Sequence, residues 1–238
     1  EWASANTRKD GSLLMEDFYR WQRRRLDILI DRDGEPVGGR WNYDDENRLS
    51  PPKGEHQWPA VIRRELDDVD AWVTEFLASV DGLVMKGEPP NGLWATDREG
   101  AMRQLQHFLR HAIDEFGPYE DAIVGDEPYL NHSLLSPYLN IGLLHPAEVI
   151  AAVKELGDDI ALNSIEGFIR QIIGWREYVH GLYWWFGPGY VNENHFNDDA
   201  PVPPSFAGAH TEMNCVAHVA KWVAQDAWTH HIPRLMVL

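Results

Sequence analysis

NSIEGFIRQIIGWREYVHGLYWWF, residues Asn163–Phe186, decides the fold. At about 100° per residue, Ile165, Phe168, Ile169, Ile172, Trp175, Val179 and Tyr183 share one face. That is the pattern of a helix turned towards a core. Asn163 is placed as its N-cap, and Glu166, three residues on, completes a capping box. Arg176 falls inside the apolar stripe. A lone buried charge is too costly to keep, so Arg176 is expected to meet an anion. Either an Asp or Glu of the chain or a carboxylate or phosphate of a ligand meets that need.

Outward from this helix, further helical patterns follow. Ser12 to Ile30 carries Leu13, Leu14, Phe18, Trp21 and Leu26 on one side, with Arg23, Arg24 and Arg25 expected in solvent. Pro59 to Val80 keeps helical apolar spacing. Thr96-Asp97-Arg98-Glu99 reads as a capping box opening a helix to Phe116, stopped by Gly117 and Pro118. Pro146 to Leu156 and Thr211 to His230 complete the set, the last with Met213, Val216, Ala220, Val223 and Ala227 facing inward. Between them, Asp31 to Ser50 and Gly187 to Gly208 have the Gly, Pro, Asn and Asp content of loops. No β-alternation and no repeat is found. The expected class is all-α, an irregular helical bundle.

The 238 residues include 11 Trp and are 44% apolar, a globular and aromatic-rich composition with ample core. No apolar run reaches the roughly 18 residues that span a bilayer, so no membrane is expected as a partner. The single cysteine, Cys215, excludes an internal disulfide framework and fits a cytoplasmic location. A net charge of −17 argues against a general nucleic-acid binder, so any DNA contact must come from a local basic patch. No protein partner is implied.

Three stretches carry chemistry. In Asn131–Pro137, Ser136 precedes a proline at a helix start, and Ser133 and Ser136 set hydroxyls beside free backbone N–H groups. This is a phosphate cradle or an ordinary N-cap. His230-His231 sits near a helix end, where imidazoles serve acid–base chemistry, face solvent or ligate a metal by accident. His107 and His111, four apart, put two imidazoles on one face without a third metal ligand. Cys215 alone reads as a small buried hydrophobe.

Four runs share one resemblance: EGFIRQIIGWREYVHGLYWW, NHSLLSPYLNIGLL, EPVGGRWNYDDENR and TEMNC with THHIPRLM. At their separations along the chain they resemble the photolyase/cryptochrome superfamily, above all its prokaryotic iron–sulfur photolyase-related branch, several members of which repair (6-4) photoproducts. The likeness covers nearly the whole chain. It implies light-driven electron transfer from reduced FAD to a flipped-out pyrimidine lesion in UV-damaged DNA. Residues 1–58 become a helix and connector after a missing antenna domain, which would carry the antenna pigment. Residues 59–238 become the first part of a helical FAD-binding domain, and the chain is expected to be a fragment that binds FAD weakly or not at all. His132, Ser133, Leu134, Leu135 and Ser136 match the segment around the FAD phosphates. Gln171, Trp175 and Arg176 match the helix lining the flavin. His231 matches the proton-donating histidine, and Cys215 the first of four thiolates holding a 4Fe–4S cluster, the other three expected beyond Leu238.

Three positions depart from that pattern. Phe206-Ala207 stands where the family has Tyr-Trp, so the electron relay is not expected there. Trp228-Thr229 replaces Tyr-Ala before the histidines. Pro233 replaces a polar residue, and inside a continuing helix it is expected to cost about 3 kcal/mol. A cryptochrome-like light sensor and an inactive truncated helical protein are the alternative readings.

Overall fold

The computed structural model describes residues 2–238, for Asp158 the backbone alone. It is all-α: α1 (Trp2–Asn6), α2 (Met15–Leu26), α3 (Asp68–Ser79), α4 (Arg98–His111), α5 (Ile113–Phe116), α6 (Ser136–Asn140), α7 (Pro146–Lys154), α8 (Leu162–Ile169), α9 (Glu177–Phe186), α10 (Asn214–Asp226) and α11 (His231–Met236). Among the described residues there are two isolated β-bridges, Ile30 with Pro36 and Val124 with Glu127, and no strand. The chain divides into two units that interleave along the sequence. The first comprises Glu1–Arg48, Asp114–Pro118 and Pro146–Ala200; the second comprises Leu49–Ile113, Tyr119–His145 and Pro201–Leu238.

The first unit is built on α8. Ile165, Phe168 and Ile169 are buried as the periodicity predicts, and Phe168 meets Phe116 of α5 edge-on at 5.5 Å. Ser164 receives the Gly117 N–H at 3.0 Å and donates to the Asp114 carbonyl at 2.8 Å. A Cβ on Gly117 would lie 2.8 Å from the Ser164 backbone, so only glycine allows this approach.

The expected capping box is absent. Ala161 occupies the N-cap, and Glu166 points into the core. Its carboxylate, 0% exposed, accepts from the Tyr19 hydroxyl at 2.8 Å and the Tyr43 backbone N–H at 2.9 Å. Arg170 lies 3.4 Å from the same carboxylate and pairs with Asp44 at 3.1 Å. A buried carboxylate gains more from a cation, a phenol and a buried amide than from capping a helix that water can solvate.

Helix α2 is shorter than the Ser12–Ile30 expectation because Asp27 adopts a left-handed conformation, φ 53°, and closes the helix. Arg23 corrects the reading of an exposed arginine triplet: it is 0% exposed. Its guanidinium donates to the carbonyls of Ile28 at 3.3 Å, Trp41 at 2.7 Å and Leu29, and lies 5.2 Å from the Trp41 ring centroid. The Gly/Pro-rich segment after α2 is thus ordered around one cation.

After α8 the helix widens into a π-helical segment, Arg170–Arg176, before α9. A π turn takes in more residues than the 3.6 of an α turn, so the predicted stripe loses phase. Ile172 stays buried, but Trp175 is 45% exposed and Tyr183 62% exposed, and Val179 is exposed too. The core arginine of this stretch is Arg170, not Arg176.

In the second unit, α4 is capped by Asp97, which accepts from the Gly100 N–H at 2.7 Å, rather than by Thr96. It ends at His111, and a break at Ala112 separates it from α5. Ala101, Leu105, Phe108 and Leu109 form its core face. The Pro59–Val80 pattern yields helix only over Asp68–Ser79, where an Asp67–Asp70 capping box starts α3, and none of the α3 residues is buried. Arg64, ion-paired with Asp70, holds that carboxyl down at about 2.

Helix α10 stops at Asp226 because Ala227 takes φ 52°. Asp226 is buried and accepts from the Tyr129 hydroxyl at 2.6 Å and Asn91 Nδ2 at 2.7 Å. Val216, Val219 and Trp222 face the core, whereas Met213 and Val223 are exposed. Pro233 therefore lies in the first turn of the new helix α11, where a backbone N–H has no helical acceptor. The expected broken hydrogen bond does not arise.

Candidate functional site

The left-handed Ala227 turns the chain between α10 and α11 and sets Trp228, Thr229 and His230 ahead of His231. In the same unit, the Tyr129 carbonyl receives the His132 N–H at 2.9 Å, a tight turn that carries His132 towards the pair. The rings of His132 and His230 stack at 4.3 Å, 19° from parallel. His231 meets His132 edge-on at 5.8 Å, and Trp228 closes one side, 6.2 Å from His132.

One ring nitrogen from each histidine lies within 4.8 Å of the others. His230 is 3% exposed, and among the described residues neither of its nitrogens has a hydrogen-bond partner. Burial, reinforced by His231 and Arg234, pushes its pKa down to about 3. Burial holds His132 well below the usual imidazole range as well. Both rings are neutral near pH 7. His231 differs: it is partly exposed, and its Nε2 stands 3.1 Å from Asp121 Oδ1. An imidazole so paired is oriented by the carboxylate.

The expected phosphate segment follows His132. The Ser133 carbonyl receives Gln104 Nε2 at 3.0 Å, and the Ser133 hydroxyl accepts the Leu135 N–H at 3.4 Å. Leu134, at φ 57°, and Leu135 have buried side chains, leaving their backbone as the only group they offer. Ser136 is exposed and opens α6, with Leu135 rather than a serine at the N-cap and no side-chain cap bond.

Gln171, Trp175 and Arg176 belong to the first unit. Arg176 is partly exposed, donates to Glu177 at 2.7 Å, and keeps a buried Nε with no partner among the described residues. Cys215 is exposed near the start of α10, not the buried hydrophobe its sequence context suggests. His107 Nε2 donates to the Ala60 carbonyl at 2.8 Å, and its ring lies 4.9 Å from that of His111.

Sequence reasoning found His231 and His132 separately and missed their union with a fully buried His230. The long arm of the Glu166–Tyr19–Arg170 knot had no local signal, because Tyr19 lies 147 residues from Glu166.

Residues 1–94 match the family model described as deoxyribodipyrimidine photo-lyase-related protein. Over 236 residues the chain is 41% identical to the (6-4) photolyase of Agrobacterium fabrum, covering 95% of this chain and 44% of that protein. Over 106 residues it is 32% identical to the deoxyribodipyrimidine photo-lyase of the same organism, covering 44% of this chain and 21% of the relative. Among solved structures, a bacterial class III photolyase from Agrobacterium tumefaciens shares 26% identity, with a TM-score of 0.46, over 61% of this chain and 30% of that one. The chain thus spans less than half the length of these relatives.

Proposed function

We propose, from the premise that this chain is photolyase-related in sequence, that it serves the flavin-dependent, light-driven repair of a pyrimidine lesion in UV-damaged DNA, of the (6-4) type. The observation that carries this reading is 41% identity to a (6-4) photolyase sustained over 95% of the chain. We assign residues 1–58 to the connector and residues 59–238 to the first part of the helical flavin domain. No helix among the described residues is long and apolar enough to cross a membrane.

His231 is the proton donor of this proposal. With Nε2–H given to Asp121, its tautomer is fixed and Nδ1 is the atom left to exchange a proton with the lesion. A base presented to it must leave the duplex stack. With a net charge of −17, phosphate contacts must come from local cations.

For the flavin, Ser133 and Ser136 hydroxyls with the backbone of His132, Leu134 and Leu135 are assigned to phosphate, and Gln171, Trp175 and Arg176 to the remaining contacts. The buried, partnerless Nε of Arg176 and the half-exposed Trp175 ring fit an anionic, planar group. When bound, reduced and light-excited FAD supplies the electron for the lesion. A 4Fe–4S cluster takes four thiolates; these 238 residues contain one, Cys215, and no step is routed through a cluster. No described residue is assigned to an antenna pigment.

The test is gentle purification of the gene's complete product, followed by blue-light turnover of a (6-4) lesion oligonucleotide. Flavin absorbance and repair are expected, with repair lost and flavin retained in His231→Ala. Absence of flavin overturns the proposal. Flavin without lesion turnover converts the reading to a cryptochrome-like light sensor.

A further inference from the structure

Three imidazoles from two separate stretches, His132 from one turn and His230 with His231 at the start of α11, bring one nitrogen each within 4.8 Å. A buried polar atom is normally hydrogen-bonded. His230 is 97% buried, since 3% is exposed, yet both its ring nitrogens lack a partner among the described residues. An aromatic wall has no need of histidine at such a position; phenylalanine would stack as well without the orphaned nitrogens.

We propose that His132, His230 and His231 form a site for one divalent d-block cation of the zinc, cobalt or nickel class. Three imidazoles with no carboxylate among them select such borderline cations over Mg²⁺ and Ca²⁺, which take oxygen ligands. Three protein nitrogens and one open position make the ligand count of an open zinc site.

Two further observations agree. Asp121 stands behind His231 at 3.1 Å from Nε2, the carboxylate–histidine arrangement that orients a metal ligand and leaves Nδ1 for the ion, so a bound ion and proton transfer from that nitrogen exclude one another. Zn–N bonds of about 2.0–2.1 Å imply nitrogens about 3.3 Å apart in a tetrahedron, so a bound ion would draw the three in from their present spread of up to 4.8 Å. Arg234 is the opposing charge, felt by both His132 and His230. The other histidine pair does not compete: His107 is engaged by the Ala60 carbonyl and only His111 stands beside it.

The site rests on these residues alone and not on the DNA-repair reading, and its test uses no DNA. Purified, tag-free, chelator-treated chain is titrated with Co²⁺ and then Zn²⁺. One Co²⁺ is expected to bind with visible d–d absorption and to be displaced by Zn²⁺, with Mg²⁺ and Ca²⁺ silent. His132→Ala and His230→Ala should each weaken binding at least 100-fold, Asp121→Asn 10–100-fold, and His107→Ala not at all. X-ray absorption of the unmodified zinc-loaded chain gives an answer even where a variant does not fold: imidazole nitrogen scattering is expected. A sulfur shell, which would move the metal to Cys215, or no saturable binding, overturns the site.

Discussion

Two buried polar clusters, one in each unit, are arranged on opposite principles. Around Glu166, both carboxylate oxygens receive hydrogen bonds and Arg170 lies alongside. Around His230, two nitrogens are buried with no hydrogen-bond partner among the described residues. A satisfied buried network holds a fold in one arrangement, whereas an unsatisfied one is retained only against a cost. The comparison separates polarity that builds structure from polarity kept ready for something else.

The sharpest way to break this contrast is to delete the charge at its satisfied end. Glu166→Ala leaves Tyr19, the Tyr43 amide and Arg170 without their acceptor and should destabilise by about 3–5 kcal/mol, measured by urea unfolding. A loss under about 1 kcal/mol would mean that the knot is ornamental. Arg23→Lys should follow at about 2–3 kcal/mol, since an ammonium cannot serve three divergent carbonyls.

The two clusters should also answer acid with opposite signs. His230 titrates at about 3 in the folded chain against an ordinary 6.5. The unfolded chain therefore binds the extra proton between those values. Its contribution to stability is intact above 6.5 and is lost as pH falls towards 3, by about 1 kcal/mol per pH unit. Glu166 has its pKa raised, mainly by burial and despite Arg170. In its case the folded chain binds the extra proton, so stability falls as pH rises from the unfolded value through the folded one. Calorimetric melts of His230→Phe against the unmodified chain isolate the first effect: the difference should be constant above pH 7 and widen below 6.5. At pH 7 the same substitution should be neutral or stabilise by up to about 1 kcal/mol, because it removes unsatisfied atoms and keeps the ring stack. The smallest effect is expected at Pro233. Pro233→Ala should lower stability by about 0.4–1 kcal/mol through the unfolded chain. A rise of about 3 kcal/mol would instead restore the helix-breaking role that a continuous helix assigns to it.

What could be read without coordinates follows from the range of the forces involved. Helical class, the buried face of α8 and the acidic start of α4 are set by neighbours within a turn, and periodicity exposes them. The left-handed Ala227 that ends α10 is not, because alanine carries no local signal for that conformation. Nor is the burial of Arg23, which depends on carbonyls up to 18 positions away. In the candidate site, His231 and His132 are visible as residue types in suggestive places. The burial of His230 comes from chain segments about a hundred residues apart meeting at one turn. Arg176 shows the same limit from the other side: a charge in an apolar stripe predicts burial only while the helix keeps one pitch.

That change of pitch at Arg170–Arg176 has an arithmetic consequence. A helix interrupted by one wide turn works like a vernier: residues before it are counted against one reference face and residues after it against another. Deleting one residue within the segment would let a regular α-helix run through while leaving the residues downstream close to their present faces, because the wide turn takes up the extra residue. One stripe of 3.6-residue period would then describe the whole helix. The length of this helix, and not only its composition, is therefore part of what it specifies.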